Sequence, residues 1–256
     1  MNECQAFYEM VKKWTVNDYR TQAIKSEVII DMLISDFIEE MVTARLSEID
    51  SKISLNDVKL LAKEFPIDIG SSDLRNAKVD FLVSVKDRLY LIELKTSEDS
   101  HSSDQKSRML TVVDDGAEDL LDFFFRIIAG KRKKPSKLDS KKYFYTLKKM
   151  QNKFYNDEIN FVSDEQFRHD LIQKYSNTEM DIIYIELSEP KNLDFLKIDN
   201  DKNIKTIVLN KLDTCDKFKN LLSDDKKDRW SLVSQIIAEM SPETKSKIFR
   251  NNNNDK

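Results

Sequence analysis

Three glycines in 256 residues are too few for the usual glycine-rich loops that cradle nucleotide phosphates, so triphosphate hydrolysis and dinucleotide binding are poor readings. No nucleotide cofactor is expected. The two cysteines, Cys4 and Cys215, stand far apart and in no paired spacing, which argues against a disulfide framework or a zinc site and predicts two free thiols. His101 and His169 are the only histidines, so a histidine base or a set of imidazole ligands has little to draw on, and both are read as surface residues. No apolar run approaches the roughly 20 residues that cross a bilayer, and Met1-Asn2-Glu3-Cys4-Gln5 lacks the start of a signal peptide. The expectation is a cytoplasmic protein with no membrane partner. What remains for chemistry is carboxylates, lysines and a hard cation.

The composition, 40% hydrophobic and 34% charged, describes a soluble globular chain whose length suits one core. A single domain over 1–250 is expected, with a core over about 17–129, further strands and helices over about 141–240, and a disordered Asn-rich tail over 251–256. The net charge of −4 does not point to nucleic acid, but its distribution does. Ten basic residues between Lys131 and Lys153 face Asp139 alone. Within that stretch Lys131, Arg132, Lys133, Lys134, Lys141 and Lys142 are candidate phosphate contacts, with Tyr143, Phe144 and Tyr145 either stacking on bases or anchoring the segment in the core.

Apolar residues from Ile24 to Met41 recur at three- and four-residue steps and predict one long helix over about Asn17 to Arg45. A second helix is expected after a Ser54 cap, carrying Val58, Leu60, Leu61 and Phe65 until Pro66 stops it. Ala77 to Thr96 changes period and reads as a β-hairpin split by Lys86-Asp87-Arg88. A helix over about Asp104 to Ala129 follows. Lys141 to Tyr155 is read as a strand running into a helix, Ser163 with Gln166 as a capping box for a helix to Tyr175. Strands are expected at Met180 to Leu187 and Ile204 to Leu209, and a last helix near Asp228 to Met240. Phe123-Phe124-Phe125 is wider than one helix stripe, so that helix is expected to be covered on two sides or to meet another subunit. The order describes an α/β domain with a mixed sheet flanked by helices.

Three ionisable groups sit inside the apolar hairpin strands: Asp80 in Lys78-Val79-Asp80-Phe81, and Glu93 and Lys95 in Leu91-Ile92-Glu93-Leu94-Lys95. Side chains two apart share a face, so Glu93 and Lys95 point the same way. If Val85 pairs with Arg88 across a two-residue turn, Asp80 lies directly across from Glu93; an odd-length loop would send Asp80 to the other face. Opposed carboxylates in a sheet are destabilising, and a divalent cation between them relieves this. Oxygen donors alone suit Mg2+, with Mn2+ as a substitute. Lys95 then addresses the same spot, where its ammonium could orient water or stabilise charge on a phosphate. The bland alternative is a surface hairpin with an ordinary Glu-Lys face, against which Leu91, Ile92 and Leu94 argue.

This pattern, Asp followed after twelve residues by Glu-x-Lys at the end of an apolar strand, resembles the PD-(D/E)xK nuclease superfamily, and the likeness covers about Asn17 to Ala129. Val79 departs from the pattern, which has proline there. The resemblance implies a restriction endonuclease-like core of α-β-β-β-α order, with additional helices at the N-terminus and C-terminus. It implies Asp80 and Glu93 as metal ligands and Lys95 as the catalytic lysine. A further glutamate from the first helix is implied, for which Glu27 is the candidate and Glu39 and Glu40 its rivals; Gln105 is the candidate for a glutamine near the site. The expected activity is metal-dependent hydrolysis of DNA by a restriction-type or defence-related endonuclease working as a homodimer. A structure-specific repair or recombination nuclease is the second expectation, and an inactive nucleic-acid-binding or assembly module on the same fold the third.

Overall fold

The computed structural model describes residues 26–68, 77–96, 103–133, 139–155, 162–189 and 204–240. Its centre is a five-stranded mixed sheet. The strands are β1 (Val58–Ile67), β2 (Ala77–Val85), β3 (Arg88–Lys95), β4 (Met180–Glu186) and β5 (Ile204–Val208), and they lie side by side in chain order. The first three form an antiparallel meander, while β4 and β5 run parallel to β3.

The helices are α1 (Ser26–Ile34), α2 (Ile38–Ser47), α3 (Ser103–Lys133), α4 (Asp139–Phe154), α5 (Asp164–Tyr175), α6 (Asp216–Leu221) and α7 (Asp224–Met240). They cover both faces of the sheet. Ile30, Ile34 and Met41 of α1 and α2 join Trp230 and Ile237 of α7 on Phe81, Val83, Ile92 and Leu94. On the other face, α3, α4 and α5 bury Leu121, Leu147 and Leu171 against Leu82, Leu89, Leu91 and Ile182. Buried on both faces, β4 reads as a near-continuous apolar run, as a central parallel strand must.

Several expectations needed correction. The segment after Ser54 is not a helix: Ser54 and Asp57 form a capping box around a single 3-10 turn, Leu55–Asp57, and the chain then runs extended as β1. Cross-strand pairing to the whole of β2 outweighs the helical spacing of Leu61 and Phe65, helped by a bulge between Leu60 and Ala62 that resets which side chains face inward. Pro66 is tolerated because β1 is an edge strand, where a missing donor can face away from the ladder.

The first long helix is broken by a 3-10 turn, Ser35–Phe37, where the Ser35 hydroxyl donates back to the Asp31 carbonyl, a contact that bends helices. Its expected beginning, 17–25, lies outside the described residues, as do His101, Cys4 and the tail 251–256. The stretch read as a strand running into a helix is all helix, because Tyr143, Leu147 and Met150 fall on one buried stripe. Helix α6 and the 3-10 segment Leu209–Thr214 were not anticipated, and α7 begins at Asp224. The Ser163 cap is as expected, its hydroxyl accepting from Gln166 N at 3.1 Å.

Helix α3 runs past Gly130 to Lys133 and is kinked at Gly116, whose φ of 93° and ψ of 171° are non-helical. Such a backbone strongly favours glycine. Although open space surrounds the position, Gly116→Ala is expected to destabilise the fold by about 1–3 kcal/mol, measured by urea unfolding. Among the described residues no helix is long and apolar enough to cross a membrane.

Candidate functional site

The hairpin turn decides the site. Val85 pairs with Arg88 across Lys86 and Asp87, with Lys86 at φ 55° as a tight turn requires. That register runs to Phe81 opposite Ile92, so the next pair in step is Asp80 with Glu93. There the ladder stops, and an Asp80 carboxylate oxygen accepts the Leu94 N–H at 2.6 Å. Asp80 is thereby held between β2 and β3, on the peptide that joins Glu93 to Leu94.

Alternation along β3 turns Glu93 and Lys95 toward α3, on the face that carries Leu89 and Leu91. Both are buried, at 4% and 3% exposure. The Lys95 ammonium lies 3.2 Å from Glu93 Oε1 and 2.6 Å from Gln105 Oε1. Gln105, in the first turn of α3, closes the ring by donating its amide N–H to the same Glu93 oxygen. The helix end and strand end thus share one hydrogen-bonded group.

The sequence reading missed a further acid. Parallel pairing sets Glu186 of β4 beside Lys95 and Tyr184 beside Glu93, and the Leu187 N–H to Lys95 carbonyl bond of 3.1 Å ties the strands just beyond. Glu186 is 4% exposed. Burial pushes its carboxyl up to about 7, with the Lys95 charge pulling in the opposite direction. The Tyr184 phenol is pushed well above its ordinary value, first by burial and then by the charges of Glu93 and Glu186. One tyrosine therefore senses both acids. The available signal was the one that drew attention to Glu93: a lone carboxylate closing an apolar strand.

No protein-family model matches this sequence, and no curated protein or solved structure is significantly similar to it. The site must be judged on its own chemistry.

The rivals for a helical glutamate are engaged elsewhere. Glu39 accepts from Leu60 N at 2.8 Å and from Lys153 at 3.2 Å, beside the hairpin-turn end of β2 because Leu60 pairs with Val83. Glu40 is buried against α7, 2.5 Å from the Lys226 ammonium. Glu39 is thus turned to β1 and Glu40 to α7. Glu27 lies in α1, with its side chain outside the described residues.

Of the candidate phosphate contacts, the side chains of Lys131, Arg132, Lys133, Lys134 and Lys141 lie outside the described residues. Lys142 pairs with Glu64, which stands in step with Asp80 between the pairs Lys63 with Phe81 and Phe65 with Val79. Burial lowers the Lys142 pKa. Arg126 approaches Asp68, just past β1, at 3.8 Å. Arg126 and Lys142 themselves thus both pair toward the Asp80 end of the sheet. Tyr143 belongs to the core, whereas Tyr145 is exposed and lies under the Lys149 ammonium at 4.7 Å. His169 is exposed on α5.

Among the described residues no three carboxylate, imidazole or thiol groups form a ready-made metal cage. Magnesium does not need one, since it usually binds through one or two carboxylates with water and substrate phosphate completing the shell. Asp80, half-buried, and Glu93, buried, offer oxygen donors only, and the acids at this end outnumber the single Lys95 ammonium, an excess that a dication would neutralise.

Glu186 makes the stability of the fold depend on pH. Its folded-state value lies above the ordinary 4.5, so folding favours the protonated acid. The stability it contributes is fully present below about pH 4.5 and is lost as pH rises through about 7. In chelator, Glu186→Gln and the parent should unfold alike in acid and differ above about pH 8, the variant being more stable by about 3 kcal/mol. Parallel melting curves across that range would reject the burial argument.

Proposed function

We propose that this chain is a magnesium-dependent DNA nuclease with a restriction endonuclease-like core, akin to the PD-(D/E)xK superfamily. The observation that carries the reading is the convergence at one strand end: the Asp80 carboxylate on the Glu93–Leu94 peptide, with the Lys95 ammonium 3.2 Å from Glu93. The element order lends support. Helices α1 and α2, strands β1 to β3 and helix α3 follow the α-β-β-β-α order of that core, β1 being the segment that the sequence reading took for a helix. The site also lies at the carboxyl ends of parallel strands β3 and β4, where open α/β sheets bind ligands.

In this reading Asp80 and Glu93 hold the cation, for which Mn2+ can stand in. Bound there, magnesium polarises a phosphate oxygen and lowers the pKa of water. Lys95 places a positive charge against the phosphate oxygens as negative charge develops on them. Gln105 keeps the Lys95 and Glu93 side chains in one orientation through its two hydrogen bonds. A restriction-type or defence-related endonuclease acting as a homodimer in the cytoplasm remains the favoured biological setting, since two-fold pairing supplies one site per strand.

The test is direct. The purified chain, incubated with plasmid, linear and branched DNA, should cut with magnesium or manganese and be silent with chelator. Cutting that continues in chelator would remove the metal from the reading, and no cutting under any condition would favour a nucleic-acid-binding or assembly module instead.

A further inference from the structure

We propose that Glu186 is a positioning residue that holds the Lys95 ammonium at the mouth of the Asp80–Glu93 pair, acting on the reaction through Lys95 and not by touching DNA or cation. The inference rests on the nuclease reading and adds to it a residue from outside the hairpin.

Geometry comes first. In parallel strands about 4.8 Å apart, residues in register carry their side chains on the same face, so Glu186 and Lys95 stand side by side on the face that carries Glu93. At 4% and 3% exposure neither is much screened by water, so the Lys95 charge acts on the Glu186 carboxyl. Among the described residues, Asp80 from β2, Glu93 from β3 and Tyr184 from β4 also stand at this end, α3 brings the neutral Gln105, and β5 has Val208 in register with Glu186.

The need for such a partner arises when Glu93 serves a cation. With a dication held by Asp80 and Glu93, the attraction that now places the ammonium 3.2 Å from the Glu93 carboxylate would be offset, and Lys95 would need another partner to stay in place. Glu186, on the adjacent strand, supplies a counter-charge on the far side of Lys95 and keeps the ammonium in the site. A buried acid is destabilising, and a neutral side chain of similar size would pack there without that cost. A carboxylate here is explained by its charge.

The experiment compares Glu186→Gln, Glu186→Asp and parent protein in single-turnover DNA cleavage at saturating magnesium, each variant also placed in a Lys95→Ala background. Glu186→Gln should slow cleavage about 10- to 100-fold with DNA affinity, measured in calcium, within about twofold; Glu186→Asp should recover part of the rate. In the Lys95→Ala background the Glu186→Gln change should have no further effect, because a residue that acts through another is silent once that other is gone. An unaffected Glu186→Gln protein beside an active parent would overturn the inference alone. Recovery of the Glu186→Gln rate by excess magnesium would overturn it too, by making Glu186 a ligand. An inactive parent would overturn the nuclease reading and this inference together. Normal melting of the aspartate variant guards against a folding defect being read as a catalytic one.

Discussion

Lys95→Gln and Lys95→Ala proteins should each cut DNA about 10^3-fold more slowly than the parent, or worse, under magnesium saturation. Glutamine keeps a hydrogen-bond donor and much of the length, so the pair of variants separates the charge of Lys95 from its volume. Both should still bind DNA. The alanine protein should also be less stable at neutral pH by roughly 3–5 kcal/mol, since removing one member of a buried ion pair leaves Glu93 and Glu186 without that counter-charge. Asp80→Asn gives an independent reading: the amide oxygen can still accept from Leu94 N, preserving the local fold while the charge is lost, and cleavage should fall by a similar factor. Gel assays at several enzyme concentrations suffice. Parent-like cleavage by the glutamine variant would take the ammonium out of the reaction.

Phe124→Ala should lower stability by about 3–5 kcal/mol without altering the denaturant slope, as loss of a fully buried aromatic does. Phe124 is fully buried, its ring 4.9 Å from Phe65 on β1 and 5.7 Å from Phe125. Phe125 turns to α5, 6.0 Å from Phe167, while Phe123 is half-exposed with the Arg126 guanidinium 5.7 Å from its ring centroid. The run of three phenylalanines is wide because α3 packs on the sheet with one residue and on α5 with the next. The same helix carries Gln105 to Lys95, so Phe124→Ala should also weaken cleavage at temperatures where the fold begins to open. A urea midpoint equivalent to less than about 1 kcal/mol of loss would show that α3 is not seated there.

Sequence reasoning succeeds where the deciding neighbours are close along the chain. Glu93 and Lys95 share a face because strand alternation is local, and their register with β2 follows from a turn only two residues long. The Ser163 cap was equally legible, its partner being three residues away. Gln105 was named only through the family likeness, and the structure places it against both Glu93 and Lys95.

The failures share the opposite property. Val58 to Pro66 carries helical spacing and becomes a strand because β2 lies beside it, a preference that its own residues do not express. The candidate phosphate contact Lys142 has a partner 78 positions earlier, Glu64, that no local pattern announces. Glu186 escaped notice for the same reason.

The sequence by itself determined a hairpin, the shared face of Glu93 and Lys95, and several helix stripes, since each depends on neighbours within a few residues, whereas the register that sets Asp80 in step with Glu93 was left open between two turn lengths until the Val85–Arg88 pair fixed it. Tertiary structure alone decided that β1 exists, that α3 bends at Gly116, and that β4 brings Glu186 alongside Lys95. Those outcomes depend on burial and pairing between segments distant along the chain, where the local pattern permits more than one answer and the assembled core selects among them.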